Sequence, residues 1–336
     1  MDHHAFHKKR GLARELAVFC AVFLLAASSL RAQLNVYFVD VGQGDAIYIE
    51  FPNGTNALID GGSGGEPIYK FLTKKGVTKL DRVVLTHPHS DHYRGLKKVF
   101  NFFDVKSFYD TKAENINAQG DNNLRELAAA EPGCGTYFPS SGAELKWDSK
   151  VTVKVLNSCD ETVQIRDNDE TNNCSLVLRL YYNGAGILLM ADSEATIENT
   201  ITKIFKSGLQ SYALKVGHHG SRYSSTGHFL SRVQPKVAII SAGVNNVYGH
   251  PHAEAIERLR AAGAKIYYTT NGTQNLHIPA PKMGVEPVLE GPLPYDPLEA
   301  AQPPAVKELI YTPEVQAPAS VNTQALDQLK QTADAQ

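Results

Sequence analysis

Short apolar runs recur along the chain, and their interleaving with helical segments is what most restricts its fold. LNVYFVDVG, AIYIEF and NALIDGG read as three strands in meander order, the last two separated by a Pro-Asn-Gly turn at 52–54. DRVVLT is a short, nearly continuous apolar strand, and SFYD, VTVKVLN, SLVLRLYYN, AGILLMAD, YALKVG and VAIISAG read as further strands. Helices are expected over 67–75, 122–130, 194–206, 226–233 and 252–262. Such a mixed series favours an α/β sandwich of sheets covered by helices over an all-β barrel or a simple parallel βαβ fold.

The ends of the chain have a different composition. Residues 1–32 start basic, continue into an apolar run over 16–27 and reach Ala32 before Gln33, the pattern of a secretory leader cleaved near Ala32. The run is shorter than the roughly 20 residues a spanning helix needs, which disfavours an N-terminal anchor, and no later stretch is apolar enough to span. A periplasmic or secreted protein is therefore expected, with one domain over 33–282 and a mobile Pro/Ala/Gln-rich tail over 283–336. Without the leader, 28 basic and 33 acidic residues leave a net charge of −5, so the chain is not preset to hold a nucleic-acid backbone by charge alone. Cys134, Cys159 and Cys174 remain, an odd number; one bridge and one free thiol are expected, with Cys134 paired to Cys159.

The chemistry is concentrated in Thr86-His87-Pro88-His89-Ser90-Asp91-His92, which follows the DRVVLT strand. His87 and His89 can turn their imidazoles to one side, while Asp91 and His92 can face a neighbouring point. Imidazole and carboxylate are donors that borderline divalent metals take, and a cluster this dense can hold two ions bridged by one hydroxide. Asp192, the His218-His219 pair, His250 and His252 each follow an apolar strand or a tight Gly-containing turn, so they can converge on the same sheet edge. In FVDVGQGDA, Gly42, Gly44 and Asp45 read as a tight turn with Asp45 serving nearby amides rather than as a phosphate cradle. Gln43 and Asp45 are kept as neighbours of the site.

HPHSDH matches the HxHxDH signature of the metallo-β-lactamase superfamily. FVDVGQGDAIYIEFPNGTNALIDGG, NNCSLVLRLYYNGAGILLMADSE, LKVGHHGSRYSS and NNVYGHPHAEAIERL resemble the hydrolase domain of ComEC-type DNA-uptake proteins, together spanning 34 to about 280. The resemblance implies an αββα four-layer sandwich and a dinuclear metal-dependent hydrolase. It implies His87 and His89 on one metal, Asp91 and His92 on the second, Asp192 bridging both, and His218 or His219 completing the second site. Asp60 matches a carboxylate that orients ligand imidazoles.

Two positions depart from the wider superfamily. Asn172, Asn173 and Cys174 stand where many members supply another histidine, leaving the first metal one protein ligand short, with Asn173 taken as a neighbour of the ligands. Ala191 precedes Asp192 where glycine is more usual. Zinc is the expected ion, with manganese admitted. Asp91, His250 and His252 are the expected catalytic residues, the latter two to bind a phosphoryl oxygen or protonate a leaving group, with helix capping an equal alternative for the histidines. The expected reaction is hydrolysis of phosphodiester bonds, nucleic acid being the substrate the resemblance suggests. Phosphocholine esters, lactones, thioesters and a non-catalytic metal-binding role stay open; β-lactam hydrolysis is not expected without the extra histidine.

Overall fold

Strand β1 (Leu34–Phe38) is buried on both faces. Leu34, Val36 and Phe38 enter one core and Tyr37 another. The same division recurs in β2 (Ile47–Glu50), with Ile47 and Ile49 opposite Tyr48, and in β3 (Asn56–Ile59), with Ala57 and Ile59 opposite Leu58. Side chains alternate across a strand, so a sheet covered on both sides needs apolar residues at successive positions. This is why these segments read as unbroken apolar runs.

The computed structural model describes residues 33–113, 119–159, 168–280 and 286–291. The first sheet runs β17 (Val288–Glu290), β16 (Gln274–Ile278), β1, β2, β3, β5 (Val83–Val84), β7 (Ser107–Tyr109), β8 (Gly135–Tyr137). The second runs β15 (Lys265–Tyr268), β14 (Val237–Ile240), β13 (Ala213–Lys215), β12 (Ala185–Leu189), β11 (Val177–Tyr182), β10 (Thr152–Asn157), β9 (Glu144–Leu145). A small separate ladder joins β4 (Lys79–Leu80) to β6 (Asp104–Val105).

The inner faces share one core, in which Leu34, Ile49 and Ile59 meet Val153, Leu178, Ile187 and Ile239. Each Leu or Ile buried there contributes about 1.5–3 kcal/mol. Helices α1 (Gly65–Lys74), α2 (Ser90–Phe102) and α3 (Gly120–Ala130) cover the outer face of the first sheet through Ile68, Leu72, Leu96, Val99 and Leu124. A short α4 (Asn168–Asn173) precedes β11. Beyond the second sheet lie α5 (Ala195–Phe205), α6 (Gly227–Val233) and α7 (Ala253–Ala261), with α5 against β10 and α7 against β15. Leu188, Leu214 and Ala238, on the face of that sheet away from the shared core, are fully buried, as are Ile201, Ile256 and Leu259 of those helices. The result is the four-layer αββα sandwich.

Two expectations need correction. The disulfide joins Cys159 to Cys174, and Cys134 is free. Antiparallel β10 and β11 pair Asn157 with Val177, which brings the segments just beyond those residues together, whereas Cys134 lies before β8 in the other sheet. Ordered structure also passes the expected boundary at 282, because Val288–Glu290 pairs with β16. The expected leader at 1–32 and most of the expected tail lie outside the described residues, among which no helix is long and apolar enough to cross a membrane.

Candidate metal centre

Parallel pairing gathers the site. β3, β5 and β7 run parallel, as do β12, β13, β14 and β15, so each group sends its C-terminal loops to a common edge. Leu176 N donates to Thr86 O at 2.9 Å and stitches the two edges together. After β5 the chain passes Thr86 and His87 and enters α2, whose N-cap is His89, leaving Asp91 and His92 in the first helical turn. Asp60, at the end of β3, accepts from Thr86 N at 2.9 Å and Thr86 Oγ1 at 2.7 Å.

Three histidines are held by one ring nitrogen so that the other faces inward. His92 Nδ1 donates to Asp60 Oδ2 at 2.8 Å, and His219 Nδ1 to the Ser241 carbonyl at 2.8 Å. His87 Nδ1 sits 3.2 Å from Thr86 Oγ1, whose own proton goes to Asp60. Such partners fix tautomer and ring direction and make each Nε2 a lone-pair donor. Those Nε2 atoms surround Asp192 Oδ2, at 3.7 Å from His87, 3.4 Å from His92 and 3.3 Å from His219. Asp91 Oδ2 is 3.3 Å from His219 Nε2.

Among the described residues, His92 Nε2, His219 Nε2 and Asp192 Oδ1 are buried without a hydrogen bond. One unsatisfied buried polar atom costs about 1–3 kcal/mol, and three gathered at one point fit a site built for a cation. Donor atoms of His87, His92 and Asp192 lie within 4.8 Å of one another, as do those of Asp91, His92 and His219. Oxygen and imidazole donors in two overlapping groups suit divalent ions.

The electrostatics agree. Burial opposes a charged imidazole at His92 and His219, yet the Asp192 carboxylate beside each outweighs it and raises both well above the ordinary value. Burial would raise Asp192, but the charges of His219, His92 and His218 hold it well below the carboxylate range. His87, buried and next to a charged His92, is driven far down. The carboxylates that draw protons onto His92 and His219 are those that would draw divalent cations.

Other expected residues fall into place unevenly. His89 meets His87 Nε2 at 3.1 Å through its Nδ1 and lines the cavity, but joins neither donor group. Geometry separates the adjacent histidines: His219 belongs to the cluster, whereas His218 Nδ1 bonds Glu194 Oε1 at 2.7 Å and its Nε2 stays 3.9 Å from Asp192 Oδ2. His250 stands over the pair, its ring centroid 5.1 Å from that of His218; burial and the neighbouring His218 and His219 lower its pKa to about 3. His252 is the N-cap of α7 without a side-chain cap bond, and its Nδ1 accepts from Arg222 N at 3.1 Å. Asn172 rather than Asn173 faces the site, with its amide 3.5 Å from His218 Nδ1. Asn173 turns away and accepts from Glu194 N at 3.2 Å.

Glu194, Asn172 and Lys215 escaped the sequence reading as participants. A lysine inside the apolar run YALKVG and an acid two residues after Asp192 were the available signals. Four non-glycine residues of the site have left-handed backbone: Asp60 (φ 58°), Ala191 (φ 47°), His218 (φ 43°) and His219 (φ 52°). Such conformations cost on the order of 1–3 kcal/mol each and collect where surroundings impose a working geometry. Ala191 shows why glycine is more usual there. The cavity above the cluster holds about 390 Å³, and Tyr223 and Tyr248 stand at its wall.

Comparison with known proteins places this architecture. ComE operon protein 3 of Bacillus subtilis (strain 168) is 30% identical over 79% of this chain and 36% of its own length. Competence protein ComA of Neisseria gonorrhoeae is 30% identical over 68% of this chain and 30% of its own. The chain thus spans about a third of the length of these relatives. Among solved structures, the metallo-beta-lactamase fold protein YhfI from Bacillus subtilis superposes with a TM-score of 0.50 at 12% identity, over 73% of this chain and 99% of that one, a likeness of fold. Residues 39–244 match the profile of the Metallo-beta-lactamase superfamily, and with that match over a cluster of this composition the chain belongs to the metallo-beta-lactamase superfamily.

Proposed function

We propose that this protein is an exported hydrolase that uses two divalent cations, zinc first, to cleave phosphodiester bonds, with nucleic acid the first substrate class to test. The observation that carries the proposal is the set of inward-facing donors of His87, Asp91, His92, Asp192 and His219, lying beneath a cavity whose wall carries His218 and His250. When bound, the cations supply Lewis acidity and a nucleophile at neutral pH.

The chain's own residues then have distinct tasks. Glu194 holds His218 by Nδ1, which leaves Nε2 toward the cavity to meet a phosphoryl oxygen. His250, neutral near pH 7, keeps a buried Nδ1 without a partner among the described residues and is placed to orient the departing group. Tyr223 and Tyr248 are 65% and 60% exposed at the cavity wall. An aromatic wall of this kind suits a flat group such as a nucleobase. A relative named as a competence protein adds weight to nucleic acid, and the expected leader together with the Cys159–Cys174 bridge supports export.

Hydrolysis of bis-p-nitrophenyl phosphate by the purified protein loaded with zinc or manganese tests the reading, beside an Asp91→Ala/His92→Ala variant. Metal-dependent release that disappears in the variant is the expected outcome. Absence of release from a metal-loaded protein would refute phosphodiester cleavage and favour a lactone, thioester or phosphomonoester.

A further inference from the structure

The Gln43-Gly44-Asp45 turn lies beside the site, and Asp45 takes Lys215 as its partner rather than the nearby backbone amides expected of it. Lys215 is fully buried, and its Nζ pairs with Asp45 Oδ2 at 2.7 Å while donating to the Val216 carbonyl at 3.0 Å. The other oxygen of Asp45, also buried, has no hydrogen bond among the described residues and lies 3.4 Å from His219 Nδ1. Two residues earlier, Gln43 Nε2 is 3.4 Å from Asp91 Oδ2, and Gln43 Oε1 accepts from Gly243 N at 3.0 Å. Between them Gly44 passes so close to α2 that a Cβ there would lie 1.9 Å from the Asp91 carbonyl oxygen. This three-residue turn therefore touches, on one side, a carboxylate delivered by the first sheet and, on the other, an imidazole delivered by the second.

We propose that Gln43, Asp45 and Lys215 act as positioning residues that hold Asp91 and His219 together as donors to one cation. The proposal rests on the reading of the cluster as a metal centre. Stability alone does not account for the pair. Removing an ammonium and a carboxylate from water costs several kcal/mol each, so a buried ion pair is often matched or bettered by two apolar side chains. Its location gives the reason for keeping it: the Ser241 carbonyl holds the Nδ1 proton of His219, and the Asp45 charge 3.4 Å from that nitrogen strengthens the ring's inward-facing donor. Lys215, projecting from β13 only four residues before His219, pins that carboxylate to the strand that carries the ligand.

Zinc itself is the probe, followed by competition with a chromophoric chelator, with the visible spectrum of the cobalt(II)-loaded protein as a second readout. Asp45→Asn is isosteric but leaves the buried Lys215 ammonium without its counter-charge, so it should melt below the parent, and zinc is titrated at a temperature where it stays folded. It should lose about tenfold to 100-fold in zinc affinity, and its cobalt bands should shift. The Asp45→Asn/Lys215→Met variant removes both charges at once and should stay folded with the same loss. Zinc binding by either folded variant within twofold of the parent, with unchanged cobalt bands, would overturn the proposal and leave the pair a packing feature. A parent protein that binds no zinc would instead overturn the reading of the metal centre itself.

Discussion

Asp192 Oδ2 lies within 3.9 Å of an imidazole nitrogen from each of four histidines, His87, His92, His218 and His219. No other carboxylate in the cluster has that reach. Asp192→Asn keeps the volume but removes the charge, and it should cost more than the roughly 10–100-fold in metal affinity typical of an outer partner, measured by zinc titration of folded protein. Glu194→Gln is a subtler change. The amide oxygen can still accept from His218 Nδ1, so zinc stoichiometry should hold while turnover falls about tenfold, as expected when a group that assists proton or charge movement is weakened. An equal fall in zinc content would instead make Glu194 part of the metal site. These residue roles were only partly legible beforehand. The HxHxDH run stands out by its density and Asp192 by ending an apolar strand, with their ligand roles implied by the family resemblance, but whether His218 or His219 turns inward depends on two successive left-handed residues, which no spacing rule reports. Asn172 and Asn173 differ in role for a similar reason, since adjacent residues at the end of α4 point about 100° apart.

At the scale of elements, α2 is the feature the sequence concealed. Its buried stripe of Tyr93, Leu96, Val99 and Phe100 has helical spacing, but its first turn is Ser90-Asp91-His92, residues read for chemistry. The expected helices at 67–75, 194–206 and 252–262 match Gly65–Lys74, Ala195–Phe205 and Ala253–Ala261, because an apolar face long enough to show its period marked them. β8, β9 and β17 are two or three residues long, too short to show alternation. The loop after β3 is bound to α2 at backbone level: Gly61 N donates to His92 O at 2.8 Å and Gly95 N to Gly62 O at 3.1 Å. A Cβ on Gly95 would lie 1.8 Å from Gly61 O, so Gly95→Ala should destabilise by about 3 kcal/mol in urea unfolding, the upper range for overpacking. Ala191→Gly should do the reverse. Relief of the left-handed strain, less the added freedom of the unfolded chain, should raise stability by about 0.5–1 kcal/mol with zinc binding unchanged.

For the whole molecule, two outside agents should act in separable ways. Reducing the Cys159–Cys174 bridge, which closes 15 residues of sequence, should lower unfolding free energy by about 3 kcal/mol while leaving the metal donors in place. Removing metal should lower the melting temperature according to ligand linkage, about 2.7 kcal/mol when free metal had stood at 100 times its Kd. The two losses should add, because neither cysteine lies in the donor groups. The stitching of two sheets at one edge also sets a clock. His87, Asp91 and His92 arrive from the first sheet, and Asp192 and His219, a hundred or more residues later, from the second, so the group of His87, His92 and Asp192 and the group of Asp91, His92 and His219 each need both halves of the sandwich. Contacts this distant in sequence are expected to form late. In a refolding experiment, capture of zinc from an indicator should therefore lag behind the recovery of far-ultraviolet circular dichroism, and the interval between the two signals would time the closing of one sheet upon the other.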